Sequence, residues 1–423
     1  MTRPRVTFWR LFIVASLALG AYSIFVRFHE GIGGATNLSD GTPWGLWVGL
    51  DILTGVALAA GGFMITAVVY VFGLERYRPI VRPALLTAFL GYLFFVIGLL
   101  VELGRPWNIW HAIIYWNPNS ALFEVAWCVM LYTIVLALEV SNLIFERFGW
   151  VRLSRVFHAV VLFLVIAGVM LSTLHQSSLG TLFVIAPGKM HALWYSPALP
   201  LIFYVSCMCA GLAMVMVEAF LSQRFLKHPV RVDLMARLAR VLMIGLMLLT
   251  LLRFSDLWLR SALPLAFQPT EEALAFWVEV ALFQVIPIVV LWPERRRASP
   301  RRLFVGAFSA VAGLVTHRMN VATTSFVSSS PTDYFPTWME FSVSIALVVA
   351  GVVVFWGFAK WTPLFAEGEH PPHAAHRAEH VTRARPGPPT AISGCGRARR
   401  GARRLPAPRR WPGGRSTAPG TRC

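Results

Sequence analysis

Ten apolar stretches, each about 20 residues long, constrain the fold of this chain more than any other feature. A helix of about 20 apolar residues crosses the ~30 Å hydrocarbon core of a bilayer, and lipid offers backbone amides no partner outside a helix. The sequence therefore predicts an all-α integral membrane protein, a bundle of about ten transmembrane helices. The predicted spans are 8–28, 44–73, 84–103, 121–145, 155–174, 197–221, 234–258, 272–292, 302–320 and 337–359.

The connections between these spans alternate between two chemical kinds. The N-terminus and the turns 74–83, 146–155, 222–240 and 293–302 are rich in arginine, whereas the intervening connections are poor in Lys and Arg but rich in Trp, His, Asn and Pro. The positive-inside rule then places both termini in the cytoplasm and the aromatic loops outside.

The distribution of charge argues against a nucleic-acid partner, and the spacing of the cysteines argues against an iron–sulfur cluster bound by this chain. A formal charge of +18 would suit nucleic acid, but 12 of the 38 cations lie beyond residue 370 and most others lie on the predicted cytoplasmic turns. Membrane topology explains that charge better, so no nucleic-acid partner is expected. The five cysteines show no C-x-x-C spacing, so the chain is not expected to ligate an iron–sulfur cluster.

The composition changes abruptly after Trp361, which divides the chain into two regions. Residues 1–366 are predicted to form the helical bundle. The segment 367–423 is rich in Pro, Arg, Gly and Ala and has almost nothing apolar to bury, so it is predicted to be a disordered basic tail.

Several predicted spans contain charged residues, each of which costs about 3 kcal/mol in hydrocarbon even on the mildest scale. Asp51 and Glu124 have no basic residue within a helical turn, which favours a functional role. Asp256 lies between Arg253 and Arg260 on one helix face, which favours a structural ion pair.

The predicted outer connections hold most of the other polar candidates. Aromatic rings beside neutral hydrogen-bond donors suit a quinone head group, whose carbonyl oxygens need hydrogen bonds and, on reduction, protons. The alternative is an aromatic belt at the membrane interface. The candidates are His29, Glu30, Asn37, Asp40, Glu102, Arg105, Trp107, Asn108, His111, His175, Gln176, Lys189, His191, His317, Arg318 and Asn320.

Two acids lie near the inner ends of their spans, Glu139 in the fourth and Glu218 in the sixth. They are suited to a proton path from the cytoplasm, but pairing with Arg147 and Arg224 at the interface is an equal alternative. A bis-histidine haem is disfavoured, because His158 and His175 lie near opposite ends of one helix without a matching pair on another.

Three segments carry a resemblance to a known family. ELGRPWNIWH (102–111), NSALFEVAWCVMLY (119–132) and LHQSSLGTLFVIAPGKMHALWYSPALP (174–200) resemble the membrane subunit of periplasmic nickel–iron hydrogenases of the hydrogenase-2 (HybB) type, within the wider NrfD/PsrC family. The resemblance spans roughly residues 8–360. It implies a haem-free bundle in the bacterial inner membrane that is not catalytic alone.

The resemblance also implies partners and site residues. Electrons would pass from a periplasmic ferredoxin-like iron–sulfur subunit, itself served by the hydrogenase subunits, to menaquinone or ubiquinone from the membrane pool. The aromatic loops would face the periplasm. The implied quinone-binding residues are Tyr92, Glu124 and His175, with Asp51 and Arg105 as companions, and the implied proton path runs through Glu124, Glu139 and Glu218.

Three other functions remain open at this point. The same architecture suits a quinol-oxidising anchor of another periplasmic reductase, for polysulfide, nitrite or sulfoxide. A secondary transporter would also carry intramembrane acids and Gly-interrupted helices, although no clear inverted repeat is visible. A di-haem cytochrome b is the third, and a visible spectrum distinguishes it.

Overall fold

The computed structural model describes residues 4–292, 294–330 and 334–365, and these residues form helices and connections without a β-strand. The predicted all-α membrane bundle of about ten helices is confirmed. The predicted tail, 367–423, lies outside the described residues. The long helices, α1 to α10, are Pro4–Glu30, Trp47–Tyr70, Val81–Glu102, Ala121–Phe148, Val151–Val184, Leu199–Leu226, Val232–Leu259, Glu271–Leu291, Pro300–Ala322 and Trp338–Trp361.

Helix α9 differs in composition from its neighbours. Within the described part of the chain, nine helices are long and apolar enough to cross a membrane, and α9 is not one of them. It has 23 residues, and its polar residues His317, Arg318 and Asn320 are buried. The other helices therefore shield these polar side chains from lipid, whereas Phe308 on the same helix is exposed.

Two helix ends correct the sequence prediction. Helix α5 continues to Val184, so His175 and Gln176 lie inside a helix and are fully buried rather than in an outer loop. Helix α9 ends at Ala322, two residues beyond the predicted span 302–320, so His317 and Arg318, which were grouped with the outer connections, lie within the helix. These polar residues resemble loop residues in composition, which is why the prediction grouped them with the outer connections.

Two helices contain π-helical turns that the apolar pattern did not predict, at Trp47–Thr54 in α2 and Ala281–Val285 in α8. In α8 the cause is local. Pro287 has no N–H to donate to the Leu282 carbonyl one π-turn earlier, and the Ser309 hydroxyl of α9 donates to that carbonyl instead, at 2.7 Å.

Hydrogen bonds between connections define two ends of the bundle. At the end we call the loop end, Asn37 donates to the Phe335 carbonyl, and Arg260 donates to the Ala192 carbonyl. The loop end comprises residues 31–46, 103–120, 185–198, 260–270, 323–330 and 334–337. At the opposite, arginine end, Arg82 in the first turn of α3 donates to Glu146 in the last turn of α4, at 2.8 Å.

Small residues bring the helices together. A Cβ on Gly61 of α2 would meet the Gly211 carbonyl of α6 at 2.5 Å, so α2 and α6 cross with backbones nearly in contact. The hairpin of α4 and α5 packs against α2 and α3, whereas α7 and α9 pack against α6, and α8 packs against α7 and α9. Helix α1 pairs with α10 through a bond between the hydroxyls of Ser23 and Ser342, at 2.7 Å.

Candidate functional site

Five buried side chains of α3, α4 and α5 form what we call the polar cluster: Tyr92, Tyr132, Ser172, His175 and Gln176. The rings of Tyr92 and Tyr132 meet edge to face at 4.6 Å between centroids, and the Tyr92 and His175 rings are 5.5 Å apart. Ser172 and Gln176 lie beside the Tyr92 hydroxyl. The cluster is therefore a compact group of donors and acceptors among aromatic rings.

The polar atoms of this cluster form no well-aligned hydrogen bond within the described residues, although Ser172 and Gln176 lie near the Tyr92 hydroxyl. The hydroxyls of Tyr92 and Tyr132, the Ser172 hydroxyl, both ring nitrogens of His175 and both amide atoms of Gln176 lack a hydrogen bond. Buried polar groups almost always have a partner, since leaving one unpaired costs about 1–3 kcal/mol. Such a concentration of partnerless atoms fits a polar ligand that binds from outside the chain.

The sequence places these residues through helical spacing. Tyr92 and Phe95 lie three apart on α3 and so face the same neighbour, the His175 ring, which the Phe95 ring meets at 5.8 Å. Ser172, His175 and Gln176 lie three and four apart on α5. Gly168, one turn earlier, leaves room for the Tyr132 ring, since a Cβ there would lie 3.3 Å from it.

The structure separates the other predicted quinone-binding residues from the polar cluster. Glu124 is exposed in the first turn of α4, and Arg105 is exposed in the loop after α3. Asp51 is buried but accepts a hydrogen bond from Ser344 of α10, at 2.6 Å, and it packs against Gly98 of α3. Of the five predicted residues, only Tyr92 and His175 come together.

The two inner acids do not pair with Arg147 and Arg224, the arginines that the sequence offered as partners. Glu218 of α6 accepts a hydrogen bond from Thr87 of α3 at 2.5 Å, and Glu139 of α4 is buried. Neither acid forms an ion pair within the described residues. Glu139 lies two helical turns from Tyr132 on the same helix, so it is the nearest acid towards the arginine end.

A second buried network, centred on Glu279 of α8, has its carboxylate fully satisfied. The donors are Arg253, His317 through Nδ1 at 2.8 Å, Asn320 at 2.8 Å and Trp194 at 2.9 Å. This network corrects the predicted ion pairs, because Arg253 pairs with Glu279 rather than with Asp256. Asp256 pairs with Arg260 at 2.7 Å, as predicted.

Arg318 is fully buried and has no carboxylate partner among the described residues. Its guanidinium lies 3.6 Å from the centre of the Phe203 ring and donates to the Phe203 carbonyl and the Ser206 hydroxyl. An arginine in this position is stabilised by the ring face and two neutral oxygens, so it serves to join α9 to α6.

A third group of polar side chains, around Glu340, joins the connections at the loop end. Glu340 completes the capping box of α10. Tyr334 donates to Glu340 at 2.5 Å and accepts from the Leu46 amide at 2.8 Å. Burial, followed by the hydrogen bond to Glu340, raises the pKa of the Tyr334 phenol well above its usual value. Arg27 of α1 donates to the carbonyls of Val101 and Leu103 at the end of α3.

Aromatic rings pack against both of the buried histidines. The His175 ring packs against Tyr92 and Phe95, and the His317 ring packs against Phe203 and Phe283 while its Nδ1 bonds Glu279. Within the described residues no group of three or more His, Cys, Asp or Glu side chains is arranged to hold a metal ion.

Comparison with known proteins agrees with this architecture, a multi-pass helical membrane bundle with a buried polar cluster. A family model described as "Polysulphide reductase, NrfD" matches residues 34–328. The chain therefore belongs to the NrfD family, and the resemblance inferred from the three sequence segments is confirmed.

Three curated relatives illustrate the range of the family. The chain is 34% identical to the "Probable Ni/Fe-hydrogenase 2 b-type cytochrome subunit" of Escherichia coli, over 89% of this chain and 96% of that protein. It is 24% identical to the "Menaquinone reductase, integral membrane subunit" of Nitratidesulfovibrio vulgaris, over 85% and 92%. It is also 24% identical to a selenate reductase subunit of Mesobacillus selenatarsenatis, over 82% and 92%.

Proposed function

We propose that this protein is the membrane subunit of a periplasmic nickel–iron hydrogenase complex and passes electrons from an iron–sulfur partner to membrane quinone. The polar cluster is the observation that carries the proposal, because seven of its polar atoms are buried without a partner among aromatic rings. A quinone head group is a flat apolar ring with two carbonyl oxygens, so it complements such a site. The similarity to the E. coli hydrogenase subunit supports the choice of complex.

The residues of the polar cluster have distinct roles in this proposal. Tyr92, Tyr132 and Gln176 donate hydrogen bonds to the carbonyl oxygens, and the rings of Tyr92 and Phe95 flank the head group. Bound menaquinone or ubiquinone supplies two-electron chemistry. His175 carries a proton on one ring nitrogen and lies where that N–H can be offered to a carbonyl oxygen of the head group.

In this proposal the quinone head group does not contact Glu124, Asp51 or Arg105. All three lie between the polar cluster and the loop end, or on the loop end itself. We assign Glu124 to proton delivery at the outer side, and Asp51 and Arg105 to the approach between the loop end and the cluster. The loop end then faces the periplasm of a bacterial inner membrane, where the ferredoxin-like iron–sulfur subunit docks.

The inner acids provide the proposed route for protons from the cytoplasm. Glu218, bonded to Thr87, lies near the arginine end, and Glu139 lies between that end and Tyr132. Protons taken through Glu218 and Glu139 would make quinone reduction electrogenic. Neither acid is neutralised by a basic neighbour within the described residues, which supports this role over interfacial ion pairing.

The test is a purified complex in mild detergent, assayed for quinone reduction with hydrogen as donor. We expect co-purification with iron–sulfur and nickel–iron subunits, hydrogen-dependent reduction of menaquinone or ubiquinone, and no haem bands from this subunit in a visible spectrum. Isolation with a different reductase, or a haem spectrum that follows this subunit, would contradict the proposal.

A second candidate is a quinol-oxidising anchor of another periplasmic reductase. The similarity to the selenate reductase subunit favours it, because that relative also matches most of this chain. The same polar cluster would then release protons from quinol, and electrons would leave through the loop end. Reduction of a terminal acceptor by quinol, without activity towards hydrogen, would favour this candidate.

A further inference from the structure

A narrow cavity lies at the loop end, between α6, α7, α9 and the connection that precedes α6. It leaves about 10 Å³ for the centre of a water molecule, which is about the least that admits a single water. A larger ligand therefore does not fit. The polar side chains of its lining are Trp194, Ser196, Arg253, Asp256, Arg260 and His317.

Two side chains of this lining each have a buried nitrogen without a partner in the described part of the chain. The atoms are Nη2 of Arg253 and Nε2 of His317, and the two side chains are only 5% and 3% exposed. Each residue uses another nitrogen for Glu279: Arg253 donates through Nη1, and Nδ1 of His317 lies 2.8 Å from the carboxylate. Buried polar groups almost always have a partner, so the two free nitrogens indicate a ligand in the cavity that both side chains line.

The Glu279 carboxylate determines what this ligand has to provide. It accepts hydrogen bonds from Arg253, Trp194 and Asn320, and as an anion it also accepts from Nδ1 of His317, which therefore carries the ring proton. In the neutral imidazole Nε2 is then an acceptor that needs a donor, whereas Nη2 of Arg253 is a donor that needs an acceptor. A water molecule provides both, whereas an anion would serve only Arg253 and a cation only His317.

The remaining polar lining extends from the cavity to the surface of the loop end. Asp256 accepts from the Ser196 hydroxyl at 2.7 Å and from Arg260 at 2.7 Å, and the side chains of Asp256 and Arg260 are 13% and 21% exposed. A carboxylate has about four lone-pair positions, so Asp256 can accept a further hydrogen bond from within the cavity. The same two residues line the cavity and reach the surface, so the loop end is the side from which water enters.

We propose that this cavity binds one water molecule, which accepts a hydrogen bond from Nη2 of Arg253, donates one to Nε2 of His317 and directs its second hydrogen to Asp256. The water joins the buried Glu279 network to a carboxylate at the surface of the loop end. The site belongs to α6, α7 and α9 and lies outside the polar cluster, so the proposal does not depend on quinone binding.

Hydroxyl-radical footprinting of the purified complex tests this site without a substitution. Brief X-ray irradiation converts water into hydroxyl radicals, which oxidise the side chains next to a bound water even where those side chains are buried. Leu257 and Leu249 lie about two turns apart on α7 and are both 1% exposed, but only Leu257 lines the cavity. By tandem mass spectrometry we expect Leu257 to be oxidised about fivefold faster than Leu249, because only Leu257 lies beside the water. Equal rates would overturn the proposal.

A pair of variants tests the role of the imidazole. His317→Phe removes the acceptor, so the oxidation rate of Leu257 should fall to that of Leu249, whereas His158→Phe, at an exposed position, should leave the rate unchanged. Where His317→Phe does not assemble, a cryo-EM map of the wild-type complex that resolves ordered waters decides. We expect density at about 2.7–3.2 Å from both free nitrogens. No density there, or density in contact with Arg253 alone, as for an anion, would overturn the proposal.

Discussion

At the residue scale, replacement of Tyr92 by Phe tests whether its hydroxyl serves a ligand or the fold. The hydroxyl is buried without a protein partner, so its removal should leave the melting temperature in detergent unchanged or slightly raised. Quinone reduction should fall at least tenfold. Tyr195→Phe is the matched control, since that hydroxyl donates only a long bond of 3.4 Å to the Val184 carbonyl. A large loss of stability in Tyr92→Phe would assign the hydroxyl to the fold.

Only some residues of the polar cluster were predicted from the sequence. Tyr92 and His175 were identified from family resemblance, and the structure brings their rings together. Tyr132, Ser172 and Gln176 complete the cluster, and of these only Gln176 was among the predicted candidates. Ser172 and Gln176 lie three residues before and one after His175, so a helix extended past residue 174 would have placed them on a shared face.

Glu124 was assigned to the quinone site by family resemblance, but the resemblance does not determine which side of α4 the residue occupies. Its carboxylate is exposed on the first turn of α4, although the family pattern grouped it with Tyr92 and His175. The side of a helix on which a residue lies follows from the rotation of that helix against its neighbours. That rotation is set by packing and is not readable from a single span.

At the element scale, the apolar pattern predicted all ten long helices but not their irregularities. Pro287 lies inside a span, in the last two turns of α8, and only the position of Ser309 of α9 explains how the freed Leu282 carbonyl is satisfied. Helix α9 itself was identified as a span even though its polar residues are buried by neighbours rather than by lipid. In both cases the contacts come from other helices. A single sequence does not show which helices pack together, so it could not predict these contacts.

Glu279 holds α7, α8 and α9 together, and Glu279→Gln should be strongly destabilising. The substitution leaves Arg253 buried without its counter-charge, which typically costs about 3–5 kcal/mol. We expect little folded protein by fluorescence-detected gel filtration. Glu294→Gln removes the ion pairs of an exposed carboxylate with Arg240 and, at 3.8 Å, with Arg297, and should give the wild-type yield. A stable Glu279→Gln variant would show that the network contributes little to the fold.

The crossing of α2 and α6 gives a second prediction at this scale. Gly211→Ala would place a Cβ 2.3 Å from the Gly61 backbone nitrogen, so the two helices would have to separate. We expect a lower melting temperature and a reduced yield of folded protein. Gly357→Ala in α10 is the control, because nothing lies within 4 Å of its added Cβ. Equal behaviour of the two variants would exclude tight packing at the crossing.

At the scale of the whole molecule, the sequence predicted two chemically different ends, and the structure groups the same connections together. Hydrogen bonds such as those from Asn37 to Phe335 and from Arg260 to Ala192 join the loops poor in Lys and Arg at one end. Which end faces the periplasm follows from the positive-inside rule and remains a prediction.

Labelling with a membrane-impermeant maleimide in intact spheroplasts tests this sidedness. In a background with Cys395 and Cys423 replaced by Ser, Asn119→Cys at the loop end should react, and Arg76→Cys at the arginine end should react only after the membrane is broken. Both positions are exposed, so accessibility of the side chain is not limiting. The reverse pattern would place the loop end in the cytoplasm.

Proton coupling is also a property of the whole molecule. Glu218→Gln should leave the complex assembled and abolish hydrogen-driven charge separation in proteoliposomes, because it removes the proposed entrance for cytoplasmic protons. Thr87→Val, which removes the hydrogen bond to Glu218, should reduce the rate less. Unchanged charge separation in Glu218→Gln would remove this acid from the path.

The central claim is that the polar cluster binds the quinone head group, and one pair of variants tests it most directly. His175→Ala and His158→Ala carry the same substitution on the same helix, one in the cluster and one exposed towards the arginine end. In intact complexes with hydrogen as donor, we predict that quinone reduction falls at least a hundredfold in His175→Ala and stays at the wild-type rate in His158→Ala. Full activity in an assembled His175→Ala complex would contradict the claim.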